Sequence, residues 1–113
     1  MVHFVGAGSG AKDLITVRGM NLLKNADVII YAGSLVNPEL LEYAEDSCEI
    51  YNSAYMTLEE IIDVIKTADS ENKDIVRLHT GDSSIYGAIR EQIEQLNSYG
   101  ISWDICPGVS SFL

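Results

Sequence analysis

The stretch "DIVRLHTGDSSIYGAIREQ", residues 74–92, decides the fold. It opens with a predicted strand over 74–80. After a glycine turn, a helix is predicted over 84–98, and Gly100 is placed to end it. The predicted inward face of this helix consists of Ile85, Ile89, Ile93 and Leu96. This is a strand–turn–helix unit whose turn carries more polar groups than a reversal of direction needs.

The rest of the chain repeats this unit. The predicted strands are 2–5, 27–32, 48–53, 74–80 and 101–106, and the predicted helices are 13–26, 37–47, 57–71 and 84–98, with another helix opening after 106. Strands that alternate with helices through short connections indicate a parallel sheet covered by helices. We therefore predict an α/β fold with an open, mostly parallel five-stranded sheet and helices on both faces.

Two predicted helices carry clear start signals. Asn37 is a candidate N-cap followed by Pro38 at the first helical position. Thr57 and Glu60 have the spacing of a capping box. The stripe that follows Thr57 fits one buried helix face and consists of Leu58, Ile61, Ile62, Ile65 and Ala68.

Composition excludes several classes of function. The chain has 113 residues and a formal net charge of −10, from 17 acidic and 7 basic residues. Such a charge opposes binding to nucleic acid or to an anionic membrane. No apolar run is long enough for a membrane span, and no basic-then-apolar leader opens the chain. We expect one cytoplasmic domain in which Cys48 and Cys106 are plain buried thiols and not metal ligands.

Three glycine-bearing polar turns follow predicted strands: "GAGSG" (6–10), "TGDSS" (80–84) and "CPGVSS" (106–111). Ligands of open α/β sheets bind outside the carboxyl ends of the strands. The third turn adds hydroxyls and the free N–H groups of a helix start. We therefore expect the three turns to converge on one binding site.

Other interpretations of these turns stay open. The glycines of "GAGSG" could serve only a sharp reversal, and Asp82 or Ser83 could merely cap the helix that follows. A non-catalytic nucleotide-binding module fits the glycine turn, although the spacing departs from G-x-G-x-x-G. A receiver domain has this size and charge, but it needs clustered acids after the first strand, where this chain has "GAGSG".

Four segments in order resemble the N-terminal half of the tetrapyrrole methylases: "FVGAGSGAKDLITVRG" (4–19), "ADVIIYAGSLV" (26–36), "RLHTGDSSIYGAIREQ" (77–92) and "CPGVSSFL" (106–113). The second and third segments are most similar to the precorrin-4 or cobalt-precorrin-4 C11-methyltransferase subgroup. Two motifs depart from the usual pattern: the family usually has Gly-Pro-Gly-Asp-Pro at residues 8–12, where this chain has "GSGAK", and usually has proline at the position of Ser83.

The resemblance implies an enzyme of cobalamin biosynthesis that transfers a methyl group from S-adenosylmethionine to C11 of precorrin-4 or cobalt-precorrin-4, without a metal cofactor of its own. Another tetrapyrrole methylase is the alternative. It also implies a homodimer of two-domain subunits with the cofactor between the domains. Residues 1–113 would then be the N-terminal domain, lacking the C-terminal domain and inactive alone.

The resemblance also implies site residues. Matching positions for cofactor binding are Ser9, Thr80, Gly81, Asp82, Ile85, Ser110 and Ser111, and those that could face the macrocycle are Tyr31, Ser34 and Tyr86. Core packing is the competing role for Tyr86. No catalytic residue is assigned. His3 and His79 are interpreted as structural histidines, and Arg18 and Arg90 as residues of solvated helix faces.

Overall fold

The computed structural model describes residues 1–7, 17–31, 38–80 and 85–106. Within these ranges the strands are β1 (Val2–Ala7), β2 (Val28–Tyr31), β3 (Glu49–Asn52), β4 (Ile75–Thr80) and β5 (Trp103–Cys106), and the α-helices are α1 (Val17–Asn25), α2 (Leu58–Ser70) and α3 (Ile85–Ser98). Two short 3₁₀ helices, Pro38–Tyr43 and Ser53–Tyr55, flank β3. The predicted alternation of strands and helices is confirmed.

The described strands form one five-stranded sheet in the order β3-β2-β4-β1-β5. All four of its strand pairings are parallel. The predicted α/β class is therefore confirmed, and this part of the sheet is entirely parallel. The register places Ala7 of β1 directly beside Thr80 of β4, so the carboxyl ends of these two strands are level.

The sheet buries one apolar core on each face. On the first face, α1 contributes Leu23, which packs with Val5, Ile29 and Leu78. On the second face, α2 and α3 pack on alternate residues of the same strands, and the buried members are Val2, Phe4, Val28, Ile30, Ile61, Ile62, Ile65, Ala68, Ile75, Leu96 and Ile101. Helices therefore cover both faces, as predicted, and the central strands are buried on both sides.

Two of the predicted helix signals, the capping box and the terminating glycine, act where the sequence places them, whereas the N-cap candidate Asn37 lies outside the described residues. Thr57 Oγ1 accepts from the Glu60 N–H at 3.2 Å, and Glu60 Oε1 accepts from the Thr57 N–H at 3.2 Å, which completes the capping box of α2. Gly100 adopts φ 72° just beyond α3, while the Ile101 N–H bonds to the Leu96 carbonyl at 2.9 Å. A left-handed glycine at this position is the usual way to end a helix.

The segment predicted as an α-helix over 37–47 is instead a six-residue 3₁₀ helix, Pro38–Tyr43. Beyond it, the Ala44 N–H bonds to the Leu41 carbonyl, three residues earlier, at 3.1 Å. Leu41, Tyr43 and Ala44 contact the core beside α1. This 3₁₀ helix lies in the crossover between β2 and β3, and short 3₁₀ pieces are common in connections between strands.

Candidate functional site

The sheet topology predicts a ligand crevice at the carboxyl edge, between β1 and β4. These strands are neighbours and end level with each other, at Ala7 and Thr80. The helix that follows β1, α1, packs on one face of the sheet, whereas α2 and α3 pack on the other. Where adjacent parallel strands feed helices on opposite faces, their connections diverge and leave room for a ligand. The turns "GAGSG" and "TGDSS" follow these two strands.

The structure places four of the predicted site residues. Thr80 ends β4 at the crevice, and Ile85 and Tyr86 form the first positions of α3, so their backbone lies at the expected end of the sheet. Tyr31 ends β2, level with Leu78 of β4. The other predicted positions, Ser9, Ser34, Gly81, Asp82, Ser110 and Ser111, lie outside the described residues.

Tyr31 is held at the edge of the crevice. Its side chain is half-buried and packs against the core beside α1. Its carbonyl accepts a hydrogen bond from Ser53 Oγ at 2.9 Å, and Asn52 Oδ1 accepts from the Ala54 N–H at 2.9 Å. These bonds fix the turn after β3 against the end of β2. Tyr31 therefore combines a packing role with a position close to the predicted site.

A buried polar pair below the crevice was not foreseen from the sequence. Arg77 in β4 and Gln92 in α3 are both buried, and Arg77 Nε donates to Gln92 Oε1 at 3.0 Å. Arg77 Nη1 also donates to the carbonyls of Ile30 at 3.2 Å and Leu78 at 3.4 Å. Burial lowers the pKa of Arg77 to about 10, so the guanidinium stays charged at neutral pH. The sequence signal was an arginine within an apolar strand.

The two histidines lie within the sheet. His79 is buried in β4. His3 Nδ1 lies 2.8 Å from Asp104 Oδ1, and Arg18 Nη2 donates to Asp104 Oδ2 at 2.9 Å. This cluster joins β1, β5 and α1 near the start of β1, away from the crevice. Arg18 is exposed, as predicted, but it also forms this ion pair, while Arg90 is exposed on α3.

Cys48 is half-buried, whereas the sequence indicated a buried thiol; the side chain of Cys106 lies outside the described residues. Burial raises the pKa of the Cys48 thiol, and the carboxylates of Asp27, Glu49 and Glu45 raise it further. Within the described ranges, no group of three or more His, Cys, Asp or Glu side chains is arranged to hold a metal ion. No helix in the same ranges is long and apolar enough to cross a membrane.

Three comparisons bear on this geometry. The chain is 62% identical over 110 residues to the cobalt-precorrin-4 C(11)-methyltransferase of Methanocaldococcus jannaschii, covering 97% of this chain and 42% of that protein. The crystal structure of a cobalt precorrin-4 methyltransferase superposes with a TM-score of 0.90 at 44% identity, over 97% of this chain and 46% of that one.

The uroporphyrin-III C-methyltransferase of Thermus thermophilus, solved with S-adenosylhomocysteine, gives a TM-score of 0.76 at 31% identity, over 97% of this chain and 45% of that one. The chain therefore spans less than half the length of these relatives. The sequence profile described as "Tetrapyrrole (Corrin/Porphyrin) Methylases" matches residues 1–113. The chain belongs to the tetrapyrrole methylase family.

Proposed function

We propose that this chain is the N-terminal part of an S-adenosylmethionine-dependent methyltransferase that acts on C11 of precorrin-4 or cobalt-precorrin-4 in cobalamin biosynthesis. The observation that carries the proposal is the 62% identity to a cobalt-precorrin-4 C(11)-methyltransferase over 97% of the chain. Identity to the uroporphyrin-III enzyme is 31%, which favours the C11 reaction over that of another tetrapyrrole methylase.

The proposal includes a second domain. The relative from Methanocaldococcus jannaschii is more than twice as long as the matched segment. In our proposal the missing half closes over the carboxyl edge of this sheet and completes the cleft between the domains. A homodimer and a cytoplasmic location are further expectations from the resemblance.

The crevice fits a cofactor such as S-adenosylmethionine. Gly6 is buried just below the crevice, and glycine leaves room for close approach. The three central strands, β1, β2 and β4, contain no aspartate or glutamate. Strands without acidic side chains, two of which end level with each other, suit an adenosine group bound by backbone and hydroxyl contacts. When bound, S-adenosylmethionine would supply an electrophilic methyl group on its sulfonium.

In the proposed reaction the protein acts by positioning two ligands and excluding water. Thr80, Gly81, Asp82 and Ile85 would hold the cofactor from the β4 side. Ser9 would hold it from the turn after β1, and Ser110 and Ser111 from the turn after β5. Tyr31, Ser34 and Tyr86 would contact the macrocycle. No side chain of this domain needs to form a covalent bond with the substrate.

The decisive experiment is a methyl-transfer assay on the longer reading frame that contains this chain. Labelled S-adenosylmethionine is supplied with cobalt-precorrin-4 or with precorrin-4, and the position of the new methyl group is read by nuclear magnetic resonance. We expect label at C11 with at least one of the two macrocycles. Transfer to another carbon would make the protein a different tetrapyrrole methylase.

The same assay on the 113-residue chain alone tests whether this domain transfers methyl groups without the second domain. We expect no turnover, because half of the proposed cleft is missing.

A non-catalytic nucleotide-binding module is the remaining alternative. Calorimetric titrations of S-adenosylhomocysteine, NAD and ATP into the longer protein distinguish it, because the proposal requires selective binding of S-adenosylhomocysteine.

A further inference from the structure

The strand β3 forms an open edge of the sheet. It pairs with β2 on one side and stands last in the order of the described strands. The Glu49 N–H bonds to the Asp27 carbonyl at 3.0 Å and therefore points toward β2. Because backbone groups alternate in direction along a strand, the N–H and C=O of Ile50 and Asn52 point away from β2. These are the groups that a further strand would bond.

The edge lacks the usual devices against strand pairing. Natural edge strands are commonly blocked by lysine, proline or a bulge. The sequence of β3, "EIYN", contains neither lysine nor proline. Ile50 lies beside Ile29 on the α1 face of the sheet and is 43% exposed, whereas Tyr51 lies beside Ile30 on the α2 face. The α1 face of this edge is therefore apolar.

A groove runs between β3 and α2 on the other face of the same edge. It has a volume of about 360 Å³, and its described lining comes from residues 49–73. Its floor is apolar, since Ala68 is buried and Val64 and Tyr51 are half-buried against the core. We call it the edge groove, and the side chains that give its chemistry are Glu49, Tyr51, Asp63, Val64, Glu71 and Lys73.

The edge groove has an excess of negative charge. Its three carboxylates stand against one lysine, Lys73, whose Nζ lies 3.0 Å from Glu71 Oε2. The hydrogen bond and charge of Glu71, and then the charge of Glu49, raise the pKa of Lys73. Glu49 Oε2 also accepts from the Tyr51 hydroxyl at 3.4 Å, which leaves its charge uncompensated. Among the residues that the structure describes, no lysine or arginine forms an ion pair with Glu49 or Asp63.

This chemistry favours a basic protein segment over a metal ion or a second copy of the chain. In the described part of the chain, no three carboxylate, histidine or cysteine side chains converge to hold a metal ion. A second copy paired through the same edge would bring the same carboxylates together, and like charges across an interface oppose binding. The chain also has 7 basic residues against 17 acidic ones, so it offers few cations to a copy of itself.

We propose that β3 and the edge groove form a docking site for an extended basic segment of a partner protein, which joins the sheet as a further strand. The site lies beside α2, apart from the ends of β1 and β4, and does not depend on the proposed function. Main-chain bonds to Ile50 and Asn52 supply affinity, and alternate side chains supply specificity. Lysine or arginine at every second position reaches Glu49 and Asp63, and the apolar residues between them cover Ile50.

The test titrates the longer protein against a synthetic peptide of about eight residues in which lysine and valine alternate. The peptide carries a fluorophore, and its anisotropy reports binding. Two matched peptides separate the causes of binding. Glutamate in place of lysine reverses the charge, and proline in place of valine keeps the charge but removes N–H groups that a strand needs. Both matched peptides are expected to bind about tenfold more weakly than the lysine–valine peptide.

Two variants of the longer protein locate the site. Glu49→Gln with Asp63→Asn removes two charges from the edge groove. Glu91→Gln with Glu94→Gln removes two charges from the exposed side of α3 and is the matched control. Exposed ion pairs contribute little each, so the groove variant is expected to bind the lysine–valine peptide about three- to tenfold more weakly. The control is expected to bind within about twofold of wild type, and thermal melting confirms that both variants are folded.

Amide hydrogen exchange gives an independent readout of strand addition. The Ile50 N–H is expected to exchange more slowly when the lysine–valine peptide is bound, and an unchanged rate would overturn the inference. Equal losses of affinity in the two variants would also overturn it, because the peptide would then respond to net charge alone. Absence of binding to the longer protein would overturn it as well, since the second domain or a second copy would then cover the edge.

Discussion

Gln92→Leu is expected to destabilise the fold by about 2–3 kcal/mol, because it leaves a charged buried donor without its acceptor. Gln92 is 3% exposed, and its Oε1 accepts from Arg77 Nε at 3.0 Å. Leucine has a similar volume but offers no acceptor. The loss is therefore electrostatic and does not come from a cavity.

The effect of removing Arg77 as well follows from its pKa. Burial lowers the pKa of Arg77 to about 10, which corresponds to about 3 kcal/mol against the charged form in the folded state. The double variant Arg77→Met, Gln92→Leu loses this penalty together with hydrogen bonds that contribute about 1 kcal/mol each. Because the two effects oppose each other, the double variant is expected to lie within about 1 kcal/mol of wild type.

The sign of the pH dependence follows from the same pKa. As the pH rises above about 10, the unfolded state keeps the Arg77 proton that the folded state loses, so the contribution of Arg77 to stability rises with pH in that range. Below pH 10 the guanidinium is charged in both states, and its penalty is constant. The stability difference between Gln92→Leu and the double variant is therefore expected to be independent of pH at neutrality.

Urea unfolding followed by circular dichroism measures these differences, and an unchanged m-value shows that the denatured state is comparable. The melting temperature of Gln92→Leu is expected to lie about 8–12 °C below that of wild type. The double variant is expected to melt at a higher temperature than Gln92→Leu. A double variant that is less stable than Gln92→Leu would refute this reasoning. Arg77 would then stabilise the fold through its backbone hydrogen bonds by more than its burial costs.

Three further results are expected. Asp82→Ala should weaken binding of S-adenosylhomocysteine to the longer protein by about 1–3 kcal/mol, whereas a lowered melting temperature with unchanged affinity would make Asp82 a helix cap alone. Gly100→Ala should cost about 1 kcal/mol in urea unfolding, because Gly100 has φ 72° and a Cβ would meet no atom within 4 Å, so backbone strain is the whole effect. Cys48 should react with iodoacetamide at mildly alkaline pH more slowly in the folded chain than in urea, because the raised pKa of its side chain keeps it a thiol. Peptide mapping by mass spectrometry measures the two rates, and equal rates would contradict the prediction.

Structural features that depend only on residues nearby in the chain could be predicted from the sequence. The capping box of Thr57 and Glu60 and the terminating Gly100 need only their neighbours, and the structure has both. The apolar run over 27–32 also predicted a strand, which the structure has as β2. The prediction of an α-helix over 37–47 was wrong because a proline start indicates where a helix begins and not whether it is an α-helix or a short 3₁₀ helix.

Tertiary structure decided the features that depend on distant residues. The order β3-β2-β4-β1-β5 brings Ala7 and Thr80 side by side, although they are far apart in sequence. The hydrogen bond between Arg77 and Gln92 likewise requires α3 to be rotated about its own axis so that Gln92 faces β4. The sequence by itself determined the strands, the helix ends and the family of this protein, because each depends on local chemistry or on residue identity. The level ends of β1 and β4 and the buried charge beneath them were decided only by the tertiary structure, because strand order and helix packing depend on the free energy of the whole core.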